Sequence, residues 1–180
     1  VYFTMPIKHK GHAHHSIYLG HAGGKDLDSL EMTEPTLSDT GNGGAKELSV
    51  APVNSQGIRY NLIESSQQGK DFIYSTIRVA IVEDMGKPWQ FGETVFNPEN
   101  HNIAWVGGHA SPGPLLPKTF VDVGQNKLLG ILNGREANQR IPDGQIKYGM
   151  FSVGLFIYDY ETGKIDWVSP EPLMIDSQAV

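Results

Sequence analysis

One short pattern occurs three times along this chain, and it limits the fold to sheets that pack on one another. Residues 1–37 read VYFT, a polar loop, SIYLGHA, then KDLDSLEM and PTL. Residues 58–98 read IRYNLIE, a loop, STIRVAIV, then KPWQFGETVFNP, and residues 127–175 read KLLGILNG, a loop, FSVGLFIYD, then GKIDWVSPEPLMI. Each copy has two apolar strands, a turn, and a third strand with a bulky residue at Leu30, Trp89 or Trp167. A single sheet of this size cannot bury both faces, so repeated sheets have to stack. The pattern predicts an all-β fold of the β-propeller type, with about three blades at residues 1–37, 46–98 and 103–176.

Turn chemistry supports that reading. The 21 glycines and 11 prolines in 180 residues suit many short strands. Ser55-Gln56-Gly57, Gly124-Gln125-Asn126 and Glu161-Thr162-Gly163 read as hairpin turns with glycine where a positive φ is needed. Enrichment in β-branched and aromatic residues predicts strands over 1–5, 16–22, 49–53, 58–64, 73–82, 94–96, 103–106, 115–121, 127–132, 151–160 and 164–168. The Gly- and Asp-rich stretch 38–45 separates the first repeat from the second. No segment shows the helical period over a useful length.

Composition narrows function. The chain is 39% hydrophobic and 19% charged, enough for one globular domain. A net charge of −6 argues against nucleic acid, whose phosphates call for clustered Lys and Arg. With no cysteine, thiolate chemistry, disulfides and cysteine metal sites are excluded, and this fits a cytoplasmic and an exported bacterial protein equally. No apolar run approaches the ~20 residues of a membrane helix. The chain opens at Val1 inside a strand pattern, and three blades close no ring. The expectation is a part of a larger propeller, closed by more chain or by another subunit. No P-loop, Rossmann glycine pattern or G-x-S-x-G is present, and no cofactor is called for.

Several side chains could carry chemistry. His9, His12, His14, His15 and His21 cluster, and a strand would put His12 and His14 on one face. They read as surface histidines, as metal ligands, or as contacts to a substrate; the histidine retained as a substrate contact is His14, and no metal site is assigned. Glu64 ends the predicted strand 58–64, and Asn133 ends the equivalent strand of the next repeat. Two polar groups at equivalent strand ends point toward one cleft, where Glu64 is a candidate general base; alternatively it is an ordinary solvated or paired carboxylate. Lys118 and Arg135 suit an anion or sugar hydroxyls, or are surface cations. Trp89 and Trp167 recur at one position of the repeat and read as core. Trp105 lies off the repeat and reads as a ligand contact.

The third repeat also resembles a known family. Gly113-Pro114-Leu115-Leu116-Pro117-Lys118 is followed by Leu132-Asn133-Gly134. Val153-Gly154-Leu155-Phe156-Ile157-Tyr158-Asp159 follows, then Pro170-Glu171-Pro172-Leu173. In that order, over residues 111–176, the run is similar to the β-mannoside phosphorylases and mannosidases of glycoside hydrolase family 130, which are five-bladed propellers. The resemblance implies a β-mannoside or similar oligosaccharide as substrate. In the family a Lys, an Arg and a His hold phosphate. Here Lys118 matches the Lys, but Glu64 stands at the Arg position and Asn133 at the His position. Losing two cations removes the electrostatic reason for phosphate to bind. The resemblance therefore implies an inverting glycoside hydrolase with Glu64 as base and the general acid outside this chain. A non-catalytic carbohydrate-binding propeller and a phosphate-dependent phosphorylase are the alternatives.

Overall fold

The computed structural model describes residues 1–8, 15–37 and 43–175. The expectations placed on His9, His12 and His14 fall outside these residues, as does most of the loop before the second repeat.

The fold is all-β. Fourteen strands are seen among the described residues: β1 (Tyr2–Lys8), β2 (His15–Gly23), β3 (Glu31–Met32), β4 (Lys46–Ser49), β5 (Arg59–Gln68), β6 (Ile73–Val82), β7 (Gln90–Phe96), β8 (His109–Leu115), β9 (Lys127–Arg135), β10 (Gln139–Arg140), β11 (Ile146–Lys147), β12 (Phe151–Asp159), β13 (Lys164–Val168) and β14 (Met174–Ile175). The helical content among them is three 3₁₀ turns, Leu27–Ser29, Pro98–Asn100 and Ala104–Val106.

Pairing follows chain order. β1, β2 and β3 form an antiparallel meander. β4, β5, β6 and β7 form a second, and β8, β9, β12 and β13 a third. The second and third join into one nine-stranded sheet, in which β14 also pairs with β12. Their junction is a single parallel bridge between Ser75 of β6 and His109 of β8.

The central meander is buried on both faces, and its sequence shows why. Leu62 of β5 and Ile77 and Val79 of β6 enter one core with Phe96, Trp105, Leu132, Phe156 and Tyr158. Ile63, Ala80 and Val82 enter a second core with Leu19, Leu37, Ala45 and Trp89. Successive strand residues point to opposite faces, so an unbroken apolar run serves both cores. Fully burying side chains such as Leu62 and Ile63 contributes roughly 1.5–3 kcal/mol each.

The three predicted turns carry the expected backbone: Gly57, Gly124, Asn126 and Gly163 all have positive φ. Several strand bounds differ from the sequence expectation. Residues 103–106 lie in a 3₁₀ turn, with the amide of Val106 donating to Ile103 O, rather than in a strand. Residues 116–121 are not a strand either: Pro117 has no N–H to give a ladder, and its carbonyl accepts from the amide of Phe120. The strand lies just before, at β8, where HASPGPL pairs with β9. β5 runs on past Glu64 to Gln68, because polar Ser65, Ser66, Gln67 and Gln68 pair with β6 as regularly as the apolar residues do. Glu64 is therefore inside a strand and not at its end. Trp167 is 43% exposed on β13, whereas Trp89 is buried, so only one of these tryptophans is core.

Candidate functional site

The junction between the second and third meanders gathers most of the charge in the interior. Glu64 is 1% exposed. Its Oε1 accepts from Lys46 Nζ at 2.6 Å and from Ser75 Oγ at 2.6 Å. His109 Nε2 lies 3.8 Å from its Oε2. The ladder dictates this cluster: Lys46 is the cross-strand partner of Glu64, and Ser75 bridges to His109. A buried carboxylate needs partners of this kind.

The electrostatics follow from those contacts. Burial alone would raise the Glu64 carboxyl, but His109 in its protonated form, the Lys46 cation and the hydrogen bonds from Lys46 and Ser75 outweigh it and hold it below its ordinary value. The His109 imidazole is pushed the other way from what a carboxylate neighbour suggests. Burial, helped by the Arg135 and Lys46 cations, lowers it below its usual value despite Glu64 and Glu47. His109 is thus a neutral imidazole near neutral pH, and Lys46 is the cation that balances Glu64.

In front of this cluster is an open cleft of about 540 Å³, lined by Glu47, His109, Asn133, Phe151, Ser152, Val153, Met174 and Ile175. Glu47 reaches it through a β-bulge. Lys46 pairs with Glu64 and Ser49 with Leu62, so Glu47 and Leu48 together oppose Ile63. Glu47 itself takes φ 48°, a left-handed conformation that normally favours glycine. Bulges re-aim side chains, and this one turns an exposed carboxylate toward the cleft. Its Oε2 accepts from the hydroxyl of fully buried Ser111 on β8. Opposite, Phe151 is 49% exposed. The His109 ring meets it edge-on at 5.9 Å, and the Arg135 guanidinium lies 5.4 Å over its face.

The residues expected from sequence separate into two groups. Asn133 lines the cleft, Glu64 lies directly behind it against His109, and Arg135 flanks it as the cross-strand partner of both His109 and Phe151. Lys118 is elsewhere. It borders a hollow with Leu115, Leu128 and Tyr160, and its ammonium donates to Gly124 O at 2.7 Å. That hollow is at the other end of β8, β9 and β12. A seven-residue strand spans roughly 20 Å, so Lys118 and Asn133 do not share a site.

The fold can be compared with solved structures. A "putative glycosidase" from Bacteroides thetaiotaomicron VPI-5482 is similar with a TM-score of 0.40 and 12% sequence identity, covering 98% of this chain and 75% of that one. A likeness at that level assigns no residue and no activity here. No protein-family model and no curated protein matches the chain.

Two expectations change on this geometry. A general base must reach the proton it takes, and Glu64 reaches Lys46, Ser75 and His109 instead of solvent. Trp105 is 5% exposed and donates from Nε1 to Ser169 O at 2.9 Å. Its ring lies over Gly134 and Gly154, where an added Cβ would come within 2.6 and 2.4 Å of it. It is a core residue with no face free for a sugar. His21 stands on β2, with Nδ1 3.0 Å from Thr33 Oγ1. Among the described residues no group of three or more His, Asp or Glu could hold a metal.

Lys46, Glu47, Ser75, His109 and Phe151 were not legible as site residues. Only long-range pairing brings β4, β6, β8 and β12 together, and local periodicity carries no trace of that. One usable signal was present: paired glycines in two strands, Gly134 and Gly154, announce a large ring lying on them.

Proposed function

We propose that this chain belongs to a glycan-active β-propeller, an inverting glycoside hydrolase for β-mannosides or similar oligosaccharides, with each meander one blade (residues 1–37, 46–98 and 103–176). The observation that carries the reading is the cleft at the junction of the second and third meanders. It combines a half-exposed aromatic ring, an amide at Asn133, a neutral imidazole at His109 and an aimed carboxylate at Glu47. Sugars present an apolar C–H face and a rim of hydroxyls, and this set matches both. The motif order over residues 111–176 supports the same family, and Asn133 of that motif faces the cleft.

Within this reading Glu47 is the base that activates water, and Glu64 fixes His109 and Lys46 behind it. Inversion needs a second carboxylate roughly 6.5–9.5 Å from the first. Among the described residues lining the cleft Glu47 is the only carboxylate, so the general acid comes from elsewhere in the protein. The same observation favours one second reading, a carbohydrate-binding propeller without catalysis. Phosphorolysis has less support, because the one family cation retained, Lys118, lies far from the cleft.

The test is turnover of 4-nitrophenyl β-mannoside and β-1,4-mannotriose, with and without phosphate, by wild type and Glu47→Gln. Phosphate-independent release of free sugar, lost by ~10²-fold or more in the variant, is expected. Release of a sugar 1-phosphate would overturn hydrolysis, and binding without turnover would favour the binding-module reading.

A further inference from the structure

We infer that Glu47 makes this cleft select uncharged sugars and reject acidic ones. The inference rests on the glycan reading above and adds the substrate class. It starts from how the carboxylate is held. One oxygen, Oε2, is occupied by the Ser111 hydroxyl, and Ser111 is itself fully buried. The bulge fixes the backbone, and φ 48° is a conformation a Glu adopts only at a cost. The other oxygen is left to accept from a ligand donor.

The surrounding charges decide which donor. Lys46 is taken up by Glu64 at 2.6 Å. The Arg135 guanidinium lies over the Phe151 ring rather than among the groups lining the cleft. The His109 imidazole contributes no positive charge at neutral pH. The one formal charge facing a ligand in the cleft, among the described residues, is the Glu47 anion. A hydroxyl donates to it, and a hydrogen bond to an ionised group is about twice as strong as a neutral one. A uronate or a sugar phosphate would bring a second anion to the same wall, and the flanking cation, Arg135, is engaged over the Phe151 ring.

The experiment is calorimetric titration of the full chain at neutral pH with three trisaccharide probes: β-1,4-mannotriose, a β-1,4-mannuronate trimer, and β-1,4-mannotriose 6-phosphate. Wild type should bind the neutral trimer at least about tenfold more tightly than either anion. Glu47→Gln keeps the Ser111 acceptor and the side-chain shape. It should weaken mannotriose about tenfold and bring the three probes within about threefold of one another. Ser111→Ala, which frees the carboxylate without removing it, should weaken mannotriose by a smaller factor and keep the preference for neutral sugar. Should Glu47→Gln leave the preference of wild type intact, or should wild type favour an anionic probe, the inference is overturned while the glycan reading stands. If wild type binds none of the three, the glycan reading fails and this inference with it.

Discussion

Lys46 and Glu64 face each other across the β4–β5 ladder with Nζ and Oε1 2.6 Å apart, and the pair is the foundation on which the cleft rests. It anchors His109 from behind and fixes β4 immediately before the bulge that aims Glu47.

Breaking that pair should cost stability more than it alters the cleft's shape. Glu64→Gln keeps the volume but leaves Lys46 without its counter-charge in a largely buried place. A loss of about 2–4 kcal/mol is expected, somewhat below the full cost for a wholly buried pair because Lys46 retains some contact with water. Urea unfolding of wild type and variant measures it, and an unchanged midpoint would show that the pair carries little of the fold.

Acid should destabilise the protein in two stages. The folded His109 pKa lies below its ordinary 6.5, so the unfolded chain takes up that proton first. Stability present above pH 6.5 is then lost as pH falls through the folded value. The folded Glu64 pKa lies below its ordinary 4.5, and its contribution is lost as pH falls from there. His109 is faced by Glu64, Glu47, Arg135 and Lys46. Replacing it with Gln should flatten the upper stage and leave the lower one. Thermal melts across pH 3–8 would reveal a single stage in the variant if the assignment holds, and two if it does not.

The glycines under Trp105 should resist any side chain. An added Cβ at Gly154 would lie 2.4 Å from Trp105 Cη2 and 2.7 Å from Ser169 Oγ. Gly154→Ala should destabilise by about 1–3 kcal/mol through overpacking. Gly86→Ala is the control: its new Cβ would meet only Asp84 Oδ1, at 3.4 Å, and little change is expected. Equal effects at both positions would contradict the packing described for Trp105.

How far the sequence could be read depends on the range of the interactions concerned. Turns at Gly57, Gly124 and Gly163 were legible because a positive φ is a local demand. β6 and β13 were legible at their bounds because apolar runs between turns set them. β8 was misplaced because HASPGPL has no strand composition; it is a strand only because β9 offers it partners. Trp105 was misjudged for a related reason, since its place in the core depends on glycines up to 49 residues away in β9 and β12. The cleft was half legible. Asn133 could be placed by analogy of strand position, but Glu47 and His109 enter only through a bulge and a single parallel bridge.

The central claim is that sugar binds at the junction cleft, and titration of β-1,4-mannotriose into wild type, Phe151→Ala, Asn133→Ala and Lys118→Ala tests it most directly. Loss of at least about tenfold in affinity is expected for the first two variants, which remove the apolar face and the amide of the cleft. Lys118→Ala, at the far end of the strands, should bind as wild type does. Affinity that falls with Lys118 and is indifferent to Phe151 and Asn133 would place the sugar at the opposite end and contradict the account.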